Sequence, residues 1–116
     1  MVKHQRLEVS EVGDVSVVRF VDRRILDASN IEDLGGELFG LIEENRKKLL
    51  LNFEDVEFLS SAALSKMIIL EKKLKASGGT LKLCNLRPEI QEVFMITKLD
   101  QLFQIKVSEK EALDAF

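Results

Sequence analysis

Three consecutive leucines, Leu49-Leu50-Leu51, stand between Lys47-Lys48 and Asn52, with Phe53 following. A short, nearly continuous apolar run bounded by polar residues suits a strand covered on both faces. Strands of that kind belong to sheets with parallel pairing, layered with helices. The rest of the chain must therefore supply helices to cover this strand. A helix is expected before it, with Ile31, Leu34, Leu38, Leu41 and Ile42 at helical spacing. Ser29-Asn30-Ile31-Glu32 fits a capping box at its start. Gly35, Gly36 and Gly40 fall inside it. Each weakens a helix by about 1 kcal/mol against Ala, so the helix is either closely packed there or locally loose.

The flanks extend the same alternation. Leu7 and Val9 alternate with polar residues, Glu11-Val12-Gly13-Asp14 forms a turn, and Val15 to Val21 is a second strand, giving an N-terminal hairpin. After the leucine strand comes a loop over residues 54–57. A second helix carries Leu64, Met67, Ile68, Leu70 and Leu74 and is stopped at Ser77-Gly78-Gly79. Residues 80–84 form another strand. Pro88 fits the first turn of a third helix bearing Ile90, Val93 and Phe94. Leu99, Leu102 and Phe103 fit a short helix or turn, and Ile105 and Val107 a last strand. Ser108-Glu109-Lys110-Glu111 is a second capping box. The expected order is β-β-α-β-α-β-α-β-α, an α/β fold with right-handed crossovers.

Composition narrows the function. A chain of 116 residues reads as a single domain spanning 1–116. Seventeen basic against 20 acidic residues leave a net charge of −3 and no positive field for a phosphate backbone, so nucleic acid is not an expected partner. One cysteine, Cys84, excludes an internal disulfide and a multi-cysteine zinc site. No apolar run reaches the roughly 18 residues of a membrane span. The N-terminus lacks a signal-peptide core, so a cytoplasmic location without direct membrane attachment is expected.

No catalytic constellation emerges. The sole histidine, His4, sits at the N-terminal end, away from any nucleophile in the sequence. Gly78-Gly79 lacks the Gly-Lys-Ser/Thr of a phosphate-binding loop and reads as a helix cap. Cys84, in a predicted strand without a neighbouring cation, reads as an inert core thiol. The Lys72-Lys73-Leu74-Lys75 cluster suits a helix C-terminus. No enzyme activity, metal or cofactor is therefore expected. The feature that remains is Ser60-Ser61-Ala62-Ala63 at a loop-to-helix junction. It reads either as plain capping by Ser60 or as an exposed modification site. A phosphate there faces the positive end of the helix dipole, which tolerates it.

The run from Leu51 through Phe58-Leu59-Ser60-Ser61-Ala62-Ala63-Leu64 resembles the signature of STAS domains, the bacterial anti-sigma-factor antagonists. Leu26-Asp27, Gly78-Gly79-Thr80-Leu81 and the stretch from Phe94 to Phe103 resemble further family segments, in order and over nearly the whole chain. Departures are Ser60, where many members carry Asp; Ala63 and Ser65, where glycine is frequent; and Arg24, where glycine commonly stands. An Ala63 methyl at a close-approach site would narrow a partner's fit or mark a different partner.

The resemblance implies a STAS fold: a mixed sheet of about four to five strands with an N-terminal hairpin and helices mainly on one face. It implies a phospho-switchable binding module that holds an anti-sigma serine kinase when unmodified and leaves it once Ser61 is phosphorylated. A PP2C-type phosphatase would reset it. Asp27 matches an acidic residue near the phosphorylatable serine. The implied partner surface comprises Asp27, Ala28, Ser29, Ser60, Ser61, Ala62, Ala63, Leu64 and Ser65. The alternative is a STAS subunit of a stress-signalling scaffold or a lipid-transport ABC complex, in which Ser61 is only a helix cap. A monomer or weak dimer is expected.

Overall fold

In the computed structural model, the structure describes residues 6–25 and 28–116, apart from the side chains of Ala28 and Ser29. The sheet begins with the expected hairpin. Strands β1 (Leu7–Val12) and β2 (Val15–Phe20) pair antiparallel, closing with Val12 opposite Val15. The turn is therefore Gly13-Asp14 alone, and Glu11 and Val12 belong to the strand rather than to the turn. After a short strand β3 (Arg24–Ile25), helix α1 (Ala28–Glu43) leads to β4 (Lys48–Asn52). The short strand β5 (Phe58–Leu59) precedes helix α2 (Ser61–Ala76) and strand β6 (Thr80–Cys84). Helix α3 (Pro88–Ile96), a 3-10 turn (Leu99–Gln101), strand β7 (Gln104–Lys106) and helix α4 (Glu109–Asp114) complete the chain.

The five-stranded sheet has the order β1-β2-β4-β6-β7, with every pair after the hairpin parallel. The leucine run is β4, its central strand. Alternation sends Leu49 and Leu51 into the main core, with Leu34, Leu38 and Leu41 of α1, Met67, Leu70 and Leu74 of α2, and Ile90 and Phe94 of α3. Leu50 points the other way, into a smaller cluster with Val15, Val17, Cys84 and Ala112, against which Leu113 and Phe116 pack. Three helices thus cover one face and the short α4 the other, so all three leucines are fully buried. Asn52 anchors α4 by donating from its side-chain amide to Glu109 at 3.0 Å.

The structure resolves the question of the α1 glycines. A Cβ on Gly35 would stand 3.1 Å from the Lys66 side chain of α2, so the helices approach closely there. Gly36 and Gly40 face open space. The start of α1 differs from the expected capping box. Its first residue is Ala28, which places Ser29 inside the first turn rather than before it; the Ser29 side chain lies outside the described residues. At the far end of the chain Ser108 does cap α4, accepting from the Glu111 N–H at 3.2 Å.

Two elements have no counterpart in the expected order. β3 and β5 are two residues each and pair in parallel, Arg24 opposite Phe58 and Ile25 opposite Leu59. Their effect is to tie the approach to α1 against the approach to α2.

Candidate functional site at the α2 N-terminus

Ser60 and Ser61 are adjacent in sequence but have different physical roles. Ser60 is the N-cap of α2, in extended backbone, and its hydroxyl accepts from the Ala63 N–H at 3.2 Å. This satisfies one of the donors that the first helical turn leaves free. Ser61 is the first residue of the helix proper and is exposed. Its hydroxyl makes no hydrogen bond among the described residues; its carbonyl accepts from the Ser65 hydroxyl at 3.1 Å. Capping therefore falls to Ser60. Ser61 is not a helix cap.

The small β3–β5 sheet fixes what stands beside these serines. The Ser60 N–H donates to the Ile25 carbonyl at 3.1 Å, and the Glu57 N–H donates to the Arg23 carbonyl at 2.7 Å. Residue 25 is thereby held next to the cap, two positions before Asp27. Asp27 itself, and the side chains of Ala28 and Ser29, lie outside the described residues. Of the other expected surface residues, Ala62 and Ser65 are exposed with Ser61, and Ser60 is half-buried. Ala63 is fully buried and belongs to the main core. Its methyl is packed inside the protein, not presented to a partner, so it does not narrow an external fit. Leu64 is also buried.

The electrostatic setting is mixed. The first turn of α2 contains no acidic residue, so the positive helix end is uncompensated from within the helix. The loop before it is acidic. Asp55 is exposed, Glu54 pairs with Arg19 at 3.2 Å and Glu57 with Arg23 at 3.5 Å. Arg24 is exposed on β3.

Sequence reasoning did not find the groove alongside. Glu57, Phe58, Leu59 and Leu64 form one wall, and Glu89, Ile90, Val93 and Phe94 of α3 the other. The apolar residues of α3 were legible as a helix face. Nothing in the sequence could show that part of that face stops short of β5 and stays open.

His4 lies outside the described residues. Cys84 is fully buried, and burial, reinforced by the Glu109 charge, pushes its thiol up to about 12. Among the described residues, no cluster of His, Cys, Asp or Glu could hold a metal ion, and no helix is long and apolar enough to cross a membrane.

The sheet order, the hairpin and the serine pair opening α2 define a class of regulatory domain, and comparison with known proteins names it. The sequence model of the STAS domain matches residues 6–112, and the chain belongs to that family. It is 29% identical over 92 residues, 79% of each chain, to BtrV of Bordetella bronchiseptica, a protein assigned by inference as an anti-sigma factor antagonist. A crystal structure from Thermotoga maritima, of a protein assigned in the same way, superposes with a TM-score of 0.84 at 24% identity, covering 97% of this chain and 95% of that one. The phosphorylated form of SpoIIAA, a cell fate determinant of Bacillus, superposes with a TM-score of 0.71 at 22% identity, covering 94% and 97%.

Proposed function

We propose that this chain is an anti-sigma factor antagonist whose binding is switched by phosphorylation of Ser61. The observation that carries the reading is the division of labour at the α2 N-terminus. Ser60 caps the helix, and Ser61 is left exposed with a hydroxyl that has no structural duty. The likeness to BtrV supports the antagonist role, and the likeness to a protein known in a phosphorylated form supports the switch.

The chemistry is that of a binding module, not an enzyme. Unmodified, the exposed surface of Ser61, Ala62 and Ser65 offers small side chains and a neutral hydroxyl to an anti-sigma serine kinase. The kinase transfers the γ-phosphoryl group of ATP to the Ser61 hydroxyl, which gives up its proton. The product carries nearly two negative charges at neutral pH. The helix tolerates them, because they sit at the positive end of α2. The complex does not. A surface shaped around a hydroxyl would have to desolvate a dianion, beside the carboxylates of Asp55 and Glu57. A loss of about 3 kcal/mol already lowers affinity more than a hundredfold. A PP2C-type phosphatase returns the hydroxyl by hydrolysis. The alternative, a STAS subunit of a stress-signalling scaffold or a lipid-transport ABC complex without phospho-switching, is favoured instead if Ser61 stays unmodified under every growth condition.

The test is intact-mass analysis of the protein from its native host, with fragmentation to locate any phosphate, followed by binding to the cognate kinase. Phosphate on Ser61, tight binding by Ser61→Ala and weak binding by Ser61→Asp are expected. If both variants bound the kinase as the unaltered chain does, the switch would be refuted.

A further inference from the structure

We infer that the groove between β5 and α3 is a docking site for a protein segment that inserts an aliphatic side chain flanked by lysine or arginine. The groove encloses a volume of about 150 Å³. An apolar cavity of that size admits a benzene-sized group, so one leucine or methionine side chain fills it. Its floor is Leu59, Leu64, Ile90 and Phe94, all buried. Phe58 and Val93 stand at the opening, 49% and 39% exposed, large apolar surfaces that the fold itself leaves uncovered.

The charge at the rim selects the occupant. The lining contains two carboxylates, Glu57 and Glu89, and no cation. Glu92, next to Val93, is also exposed. Glu89, in the first turn of α3, makes no ion pair among the described residues. Glu57 meets Arg23 at 3.5 Å, but both side chains are exposed and such a pair is weak. An acidic or purely apolar segment would leave these carboxylates repelled or stripped of water. A basic flank meets them with opposite charge. Two residues of the groove lining, Leu59 and Leu64, bracket Ser60 and Ser61 in the chain. The inference rests on the proposed function only in naming the segment's owner, the anti-sigma kinase. The chemistry of the groove stands apart from it.

The test is a titration of the isotopically labelled full chain, followed by amide resonances. The probes are a peptide of two leucines flanked on both sides by lysines, and the same peptide with glutamates for lysines. The basic peptide is expected to shift Leu59, Leu64, Ile90 and Val93 saturably, and the acidic one to leave them unmoved. Glu89→Lys should weaken the basic peptide roughly fivefold, the scale of one exposed charge pair. Val93→Ser should weaken it roughly tenfold through lost apolar contact. Both substitutions are at exposed helix positions, and unchanged resonances elsewhere verify the fold. An equal response to both peptides, shifts confined to other surfaces, or no shift would overturn the inference. Groove resonances that move with protein concentration alone would overturn it in favour of a second copy of this chain. Failure of the switch reads out separately. Peptide docking with a Ser61→Asp form that still binds the kinase would sink the switch and spare the groove, and the converse result would do the opposite.

Discussion

The Ser60 hydroxyl accepts from the Ala63 N–H at 3.2 Å, and this one bond separates the structural serine from its neighbour. Ser60→Ala is expected to cost about 1 kcal/mol, the ordinary worth of an N-cap. Ser61→Ala should change stability by less than about 0.5 kcal/mol, as an exposed substitution outside any cap. Urea unfolding of the two variants checks this. Equal losses would mean that the two serines share the cap.

Leu51 sits at the centre of the sheet, opposite Val18 on β2 and Leu83 on β6, and is fully buried. Leu51→Ala should destabilise the fold by about 2–5 kcal/mol, with the unfolding slope unchanged.

The turn after α2 tolerates little at Gly79. The Gly78 N–H donates to the Lys75 carbonyl and the Gly79 N–H to the Leu74 carbonyl, the paired bonds that close a Schellman cap. A Cβ on Gly79 would fall 2.6 Å from the Lys47 carbonyl oxygen and 2.5 Å from the Leu74 side chain. Backbone cannot withdraw cheaply, so Gly79→Ala is expected to cost about 1–3 kcal/mol. A lowered thermal midpoint with native-like circular dichroism is the expected signature.

Glu71 on α2 has a buried oxygen without a hydrogen-bond partner among the described residues, and burial raises its pKa above the usual 4.5. The folded state therefore binds this proton more tightly than the unfolded one. The contribution to stability is full below about pH 4.5 and is lost as pH rises through the folded-state value. Glu71→Gln should raise the urea midpoint at neutral pH, and the gain should shrink as the pH falls through the raised folded-state value, reaching its minimum by about pH 4.5. A gain independent of pH would contradict this origin.

Cys84 is closed off by α4 on the second face of the sheet. With its thiol pushed up to about 12, almost no thiolate exists near neutrality. Iodoacetamide at about pH 8 should leave the native chain unmodified and alkylate it in urea. Rapid native alkylation would show that α4 detaches readily.

Periodicity made most of the architecture legible. The leucine run announced a strand covered on both faces, and β4 is that strand. Pro88 and Ser108 marked the starts of α3 and α4, and Ser77-Gly78-Gly79 the stop of α2. These signals are local: a side-chain period or a cap is written within a few residues. The start of α1 lies just before the expected cap, at Ala28 rather than after Ser29, since a local pattern places a helix end only to within one or two residues.

For the site, the sequence by itself determined that a serine pair opens a helix and that one member could cap it. It could not decide which serine remains free, since that depends on the backbone geometry of Ser60. Nor could it show that Ala63 faces inward, that two-residue strands tie Ile25 to Ser60, or that α3 leaves a groove beside Phe58. Each of these joins residues more than thirty positions apart or depends on what a helix face packs against. A two-residue strand has no period to read, and an uncovered face has the same sequence as a covered one. Only the packing of the whole chain distinguishes them.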